Sequence, residues 1–144
     1  MTASEVDTTA NARTVETFLY AMADEDYDTV GAQLADNVLY QNFGYTTMRG
    51  RERIVKLFRR GAGKVGFEVK FHRVAAEGNV VFTERTDALT FGPLRLQFWV
   101  VGVFEVHAGR ITLWRDYFDG FDFFVKAPLR GLIGMIIPSL RPTM

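Results

Sequence analysis

The sequence predicts a single α+β domain in which helices wrap a curved antiparallel or mixed sheet into a conical pocket. The chain has 144 residues, 48% of them hydrophobic, which is enough for one domain with a deep core. Up to Arg60, apolar residues recur with the 3.6-residue period of helices, and from Val65 they alternate with polar ones as in strands. Helices followed by an antiparallel meander are typical of an α+β domain, whose apolar mouth suits a ligand.

The predicted helices begin after residues 1–10, which are polar and expected to be disordered. Residues 11–23 form the first helix, because four apolar side chains fall on one face at i, i+3, i+4 and i+7. These are Val15, Phe18, Leu19 and Met22. Acidic residues 24–26 end this helix. A second helix follows, with Tyr27, Val30 and Leu34 facing inward.

A short strand and a third helix complete the first half of the chain. Residues 38–42 predict the strand, which ends at Phe43 and Gly44. Residues 50–60 predict the helix, since Ile54, Leu57 and Phe58 lie on one side and charged residues on the other.

Four long strands fill the second half. Alternation of apolar and polar side chains begins at Val65, and glycine-containing turns then separate each strand from the next. The predicted strands cover residues 65–72, 80–91, 94–106 and 110–119. Beyond Gly120, an apolar segment predicts a C-terminal helix or lid, with interruptions at Pro128 and Pro138.

Composition excludes several classes of function. The chain has no cysteine, and its only serines, Ser4 and Ser139, lie near the termini, so nucleophilic catalysis by Ser or Cys is not expected. His72 and His107 lack the spacing of metal ligands. Zero net charge gives no reason to expect nucleic-acid binding. With a polar N-terminus and no apolar run near the roughly 20 residues of a membrane span, the protein is expected to be cytoplasmic.

One glycine pattern resembles a dinucleotide-binding motif but does not predict such a site. Residues 61–66 match G-x-G-x-x-G, but here the glycines follow a helix and enter a strand. A dinucleotide site needs the opposite order, so a turn is the better interpretation.

Polar side chains embedded in apolar strand faces are the candidate site. Strand parity places Asp116 between Trp114 and Phe118, and puts Arg85 beside Asp87 on a face that also holds Val81, Leu89 and Phe91. Tyr40 and Asn42 form a similar pair. Each has an ordinary alternative: a surface ion pair for Arg85 and Asp87, a core phenol for Tyr40, a turn for Asn42. If the pairs converge, they form a general acid/base site with groups that can hold water.

Four motifs together resemble the limonene-1,2-epoxide hydrolase family over residues 15–131. They are Tyr-Gln-Asn at 40–42, Glu-Arg-Thr-Asp at 84–87, Gly-Val-Phe at 102–104 and Trp-Arg-Asp-Tyr-Phe-Asp at 114–119. Residues 92–95 and 128–131 bring the chain close to the mycobacterial epoxide hydrolase branch. The resemblance implies a cone like that of nuclear transport factor 2, a homodimer, and catalysis without cofactor or metal.

The resemblance also implies residue roles in forming a vicinal diol from an apolar epoxide of terpene, cycloalkene or sterol type. Asp116 is the general base, Tyr40 and Asn42 hold the water, Asp87 is the general acid, and Arg85 bridges both carboxylates. The implied apolar wall for the substrate comprises Leu19, Met22, Phe58, Leu89, Phe98, Val100, Phe118 and Phe123. Other members of the wider scaffold class offer two alternatives: an isomerase or dehydratase, and a non-catalytic binder of apolar ligands.

Three further acidic or basic residues are expected to be structural. Glu84 and Asp119 are the rival carboxylates, but parity places them opposite the candidate face. Arg115 falls on the same face as Asp119, so we expect these two to form an ion pair.

Overall fold

Helices and strands account for most of residues 7–144, the part of the chain that the computed structural model describes. The helices are α1 (Thr8–Ala23), α2 (Tyr27–Gln33), α3 (Arg51–Gly61) and α4 (Ala127–Ile136). The strands are β1 (Leu34–Asn42), β2 (Thr46–Arg49), β3 (Gly66–Glu77), β4 (Val80–Phe91), β5 (Leu94–His107) and β6 (Arg110–Phe118). A π-helical turn (Asp122–Lys126) precedes α4 and a 3₁₀ turn (Pro138–Leu140) follows it. None of the helices within residues 7–144 has the length and apolar character needed to cross a membrane.

The sheet is mixed, and its strand order is β2-β1-β6-β5-β4-β3. Strands β3 to β6 form the predicted antiparallel meander, which confirms the α+β class. Strand β1 joins it in parallel to β6, and β2 pairs antiparallel with β1 at the edge. As a result, β1, β6, β5 and β4 lie side by side, and residues far apart in sequence share one face at the centre of the sheet.

The core lies between the helices and the concave face of this sheet. The predicted stripe of α1 is buried there, with Phe18 packed edge-to-face against Trp114 of β6 at a ring separation of 4.8 Å. Aspartates cap the N-termini of α1 and α2: Asp7 accepts a hydrogen bond from the Ala10 N–H, and Asp26 accepts one from the Thr29 N–H.

Two predicted boundaries are wrong at the N-terminal side. Helix α1 begins at Thr8, so the expected disorder does not extend to residues 8–10, because the Asp7 cap fixes the first turn. The rest of that expectation, residues 1–6, lies outside the described residues. Leu34 belongs to the start of β1, rather than to the second helix, although it is buried as expected.

The C-terminal helix is confirmed, but Pro128 does not interrupt it. Pro128 lies in the first turn of α4, directly after the π-helical turn, and the helix ends before Pro138. Arg130 anchors α4 by donating to the Gln97 carbonyl of β5 at 2.7 Å and by pairing with Asp122 at 2.9 Å.

Candidate active site

A cavity of about 270 Å³ opens on the concave side of the sheet. Seven of the eight residues predicted for the apolar wall line it: Met22, Phe58, Leu89, Phe98, Val100, Phe118 and Phe123. Leu19 does not line it. Only Met22, in the last turn of α1, reaches the cavity from that helix, whereas Leu19 lies fully buried in the core.

Arg85 is the largest fully buried side chain among the described residues, and it lies beside Asp87 on the inner face of β4. Its Nε donates to Oδ1 of Asp87 at 2.9 Å and its Nη2 donates to Oδ2 at 3.1 Å. This bidentate geometry fixes both planar groups. The surface ion-pair interpretation is therefore excluded, since both side chains are almost completely buried.

Asp116 is placed on the same face by β6. Its Oδ1 lies 2.8 Å from Nη2 of Arg85, so a single guanidinium nitrogen contacts both carboxylates. Within residues 7–144, no donor is aligned to hydrogen-bond this oxygen. Asp116 thus has an opposite charge beside its buried Oδ1.

Tyr40 and Asn42 come to Asp116 through the parallel pairing of β1 with β6, which sets Asn42 directly opposite Asp116. Nδ2 of Asn42 donates to the Tyr40 hydroxyl at 3.1 Å and to Oγ1 of Thr46 at 2.9 Å. The Tyr40 ring stacks on Trp114 with centroids 3.7 Å apart. The phenol and the amide are therefore held next to the carboxylate, and all of these residues line the cavity.

Burial and charge set the protonation of the site. Burial raises the pKa of Asp87 from 3.8 to about 6, more than the neighbouring Arg85 lowers it. Burial and the charge of Asp116 raise the pKa of the Tyr40 phenol well above its usual range, so the phenol stays a hydrogen-bond donor. Burial alone would lower the pKa of Arg85, but Asp116 and Asp87 hold it above its ordinary value. One guanidinium balances one carboxylate, so the cluster is neutral when Asp87 is protonated.

The rival carboxylates lie elsewhere. Glu84 faces away from the cavity, 3.4 Å from Arg73. The ion pair expected between Arg115 and Asp119 is wrong: Arg115 donates to Oε1 of Gln41 at 2.7 Å, and Asp119 accepts the Asp122 N–H at 3.0 Å. Neither residue lines the cavity, and each has a partner other than the expected one.

The histidines also lie outside the cavity. His72 is exposed on the outer face, where it stacks on Trp99 at 4.2 Å and contacts the Thr86 hydroxyl at 2.7 Å. His107 was expected in a turn but is the last residue of β5, where it is exposed and lies 3.6 Å from Glu105.

Sequence reasoning missed three residues that touch this cluster. Thr83 accepts a hydrogen bond from Nη1 of Arg85, Thr46 accepts one from Asn42, and Gly102 lies directly against the arginine. Thr83 was detectable, because it lies two residues before Arg85 on the same strand face. Thr46 lies on β2, a four-residue strand that the sequence pattern does not reveal.

Comparisons with known proteins identify the family and the fold. A family model described as the limonene-1,2-epoxide hydrolase catalytic domain matches residues 9–130. Epoxide hydrolase EphG of Mycobacterium tuberculosis is 58% identical over 130 residues, covering 90% of this chain and 87% of that protein. The solved structure of an LEH-like epoxide hydrolase of M. tuberculosis superimposes with a TM-score of 0.94 at 56% identity, over 97% of this chain and 99% of that chain. An NTF2-like protein of Burkholderia xenovorans, 20% identical with a TM-score of 0.69 over 86% of this chain and 99% of its own, shares the fold alone.

Proposed function

This chain belongs to the limonene-1,2-epoxide hydrolase family and is an epoxide hydrolase of that type, and we propose that the Arg85 cluster performs the hydrolysis in one concerted acid/base step. The observation that carries the proposal is a single buried guanidinium in contact with two carboxylates at the wall of an apolar cavity. Such a pair can take a proton on one side of a substrate and give one on the other.

The attacking water is proposed to bind between Asp116, Asn42 and Tyr40. Both N–H groups of the Asn42 amide are already used by Tyr40 and Thr46, so its Oδ1 is left to accept. A water at this place donates one proton to Asp116 and one to Asn42, and accepts from the Tyr40 hydroxyl. One lone pair then remains to attack the epoxide carbon, while Asp116 takes the proton as general base.

Asp87 is proposed as the general acid. Its raised pKa of about 6 keeps a fraction of the carboxyl protonated near neutral pH, ready to protonate the epoxide oxygen as the ring opens. Asp116 gains a proton while Asp87 loses one. Because Arg85 contacts both, the total charge of the buried cluster stays the same throughout the step. No charge has to be created in the apolar cavity, which would be costly.

The proposed substrate is an apolar epoxide. Aromatic and aliphatic side chains form most of the cavity wall, and its polar groups lie at the reacting end. A volume of about 270 Å³ favours a compact ring such as a terpene or cycloalkene epoxide. A sterol-sized epoxide is larger than this volume.

Incubation with a panel of terpene, cycloalkene and sterol epoxides in ¹⁸O-labelled water tests the function. We expect diol to form with one labelled oxygen per molecule, because one of its two hydroxyl groups comes from water. An isomerase or dehydratase would release unlabelled product, and a binding protein would return the epoxide unchanged. Either result with every member of the panel would contradict the proposal.

We also propose that the enzyme forms a homodimer through the outer face of the sheet. Three large apolar side chains there are substantially exposed, Phe82, Trp99 and Val101, at 47%, 52% and 40%. They lie on one face of the neighbouring strands β4 and β5, where Glu84 is paired with Val101, and exposed apolar side chains clustered in this way are typical of an interface. A two-fold axis would place the patch of one protomer on that of its partner.

Substituting Val101→Glu is expected to convert the dimer to a monomer in sedimentation velocity at equal concentration. Symmetry introduces two buried carboxylates at once, each directly opposite the like charge of Glu84 in its own protomer. Leu57→Glu, at an exposed site on α3 away from this patch, is the matched control and should leave the mass unchanged. A Val101→Glu protein of unaltered mass would rule out this face as the interface.

A further inference from the structure

Arg85 reaches Asp116 by crossing the middle strand β5 at Gly102, and we infer that Gly102 and Thr83 are positioning residues for this arginine. The inference rests on the proposed function, because it assigns a role only if Arg85 bridges the acid and the base. Neither residue touches the cavity, so both would act through the guanidinium.

The sheet register shows why the crossing needs special residues. Arg85 of β4 is paired with Val100 of β5, and Val100 with Phe118 of β6. Asp116 belongs to the neighbouring row, in which Thr83, Gly102 and Asp116 lie side by side on β4, β5 and β6. The side chain of Arg85 therefore extends into the neighbouring row of Thr83, Gly102 and Asp116. The central position of that row has no side chain.

Gly102 provides the space for the guanidinium. A Cβ at this position would overlap Nη1 of Arg85 and would lie 2.8 Å from Oγ1 of Thr83 and 2.9 Å from Cε1 of Phe104. The glycine is not needed for the backbone, because Gly102 is in a regular strand and is not among the residues with positive φ. A strand glycine weakens the sheet, and here the close approach of the arginine explains it.

Thr83 fixes the orientation of the guanidinium. Nε and Nη2 donate to Asp87, and Nη2 also lies 2.8 Å from Oδ1 of Asp116. Nη1 donates to Oγ1 of Thr83 at 2.9 Å. Thr83 is 1% exposed, so water cannot replace it. The hydroxyl is a neutral acceptor, so it holds the third nitrogen without adding a charge to the cluster. Valine at this position has the same shape but cannot accept a hydrogen bond, so Nη1 would be buried without a partner. The guanidinium would then rotate toward a different acceptor.

Steady-state kinetics over a range of pH, with Thr83→Val, Thr83→Ser and Gly102→Ala, test the inference. Because a displacement of about 1 Å in an active site costs on the order of 100-fold, we expect kcat to fall about 10- to 100-fold in Thr83→Val and about 100-fold or more in Gly102→Ala, with KM changed little. Thr83→Ser keeps the hydroxyl and should restore kcat to within about threefold of the wild type.

The pH profile distinguishes positioning from mere packing. Arg85 lowers the pKa of Asp87, so a displaced guanidinium should move the alkaline limb of the rate profile to higher pH in Thr83→Val. A packing defect would reduce stability without moving this limb. Thr86→Val, a buried threonine on the opposite face of the same strand, and Gly31→Ala, where an added Cβ makes only ordinary contact, are matched controls. Both variants should keep the wild-type kcat and the wild-type pH of the alkaline limb.

Thr83→Val with wild-type kcat and an unmoved limb would overturn the inference, as would Thr83→Ser as slow as Thr83→Val. If Gly102→Ala fails to fold, the two Thr83 variants still decide the question. A wild-type enzyme that forms no diol from any epoxide would refute the proposed function instead, and that outcome is seen before any variant is compared.

Discussion

Asp116→Asn is expected to lower kcat/KM for diol formation by about 1,000-fold or more, because it removes the proposed general base. Asn has the same shape as Asp, so the water can still bind to Tyr40 and Asn42. A second effect adds to the loss. The charge of Asp116 helps to raise the pKa of Asp87, so without it Asp87 gives up its proton more readily to bulk solvent and is less often the acid.

Asp119→Asn is the matched control for this substitution. Asp119 belongs to the same motif but is exposed and accepts the Asp122 N–H, a task that Asn performs as well. We expect activity within about twofold of the wild type, since exposed polar substitutions usually have small effects. Thermal unfolding should show that both variants fold. Full turnover by folded Asp116→Asn would show that another group is the base.

The candidate site was predictable from the sequence because strands have a period of two. Parity alone placed Asp116 with Phe118 and Arg85 with Asp87, opposite to Glu84 and Asp119, and the structure keeps that division. The antiparallel meander followed from the turns between strands in the second half of the chain. Local periodicity therefore determined which faces carry the polar groups.

Long-range pairing is not contained in such patterns. The parallel contact of β1 with β6 joins residues about 75 positions apart in sequence, and this contact brings Asn42 opposite Asp116. The row of Thr83, Gly102 and Asp116 depends on the register of three strands in the same way. The prediction that Leu19 lines the cavity was wrong for a similar reason. The helical period shows that a side chain faces inward, but it does not show whether that side chain meets the core or the cavity.

Asp87→Asn is expected to reduce kcat/KM by about 100-fold or more, since general acids contribute about 10²- to 10⁴-fold. The wild type should lose rate above a pH of about 6, close to tenfold per pH unit, because only protonated Asp87 can protonate the epoxide oxygen. The slow residual reaction of Asp87→Asn should lack this limb. A wild-type rate that stays constant up to about pH 8 would contradict the assignment of Asp87 as the acid.

Asp87→Asn also allows the protonation of Asp87 to be tested through protein stability, independently of catalysis. The pKa of Asp87 is raised from 3.8 to about 6 by burial, so between these values the folded protein binds more protons than the unfolded chain. The stability due to this proton is complete below about pH 4 and is lost as pH rises through about 6. Asn cannot titrate, although its amide can accept only one of the two Arg85 hydrogen bonds, which costs a constant amount.

The free energy of unfolding of Asp87→Asn minus that of the wild type should therefore rise by about 3 kcal/mol between about pH 4 and pH 7, whatever its starting value. Urea unfolding at a series of pH values measures this difference. Asp28→Asn, at a side chain that is 94% exposed, is the control and should give a nearly flat difference. A difference that falls with pH would mean that Arg85 holds the pKa of Asp87 below its ordinary value. Asp87 would then be ionised at neutral pH and unable to act as the acid, so a measurement of stability alone can refute the catalytic assignment.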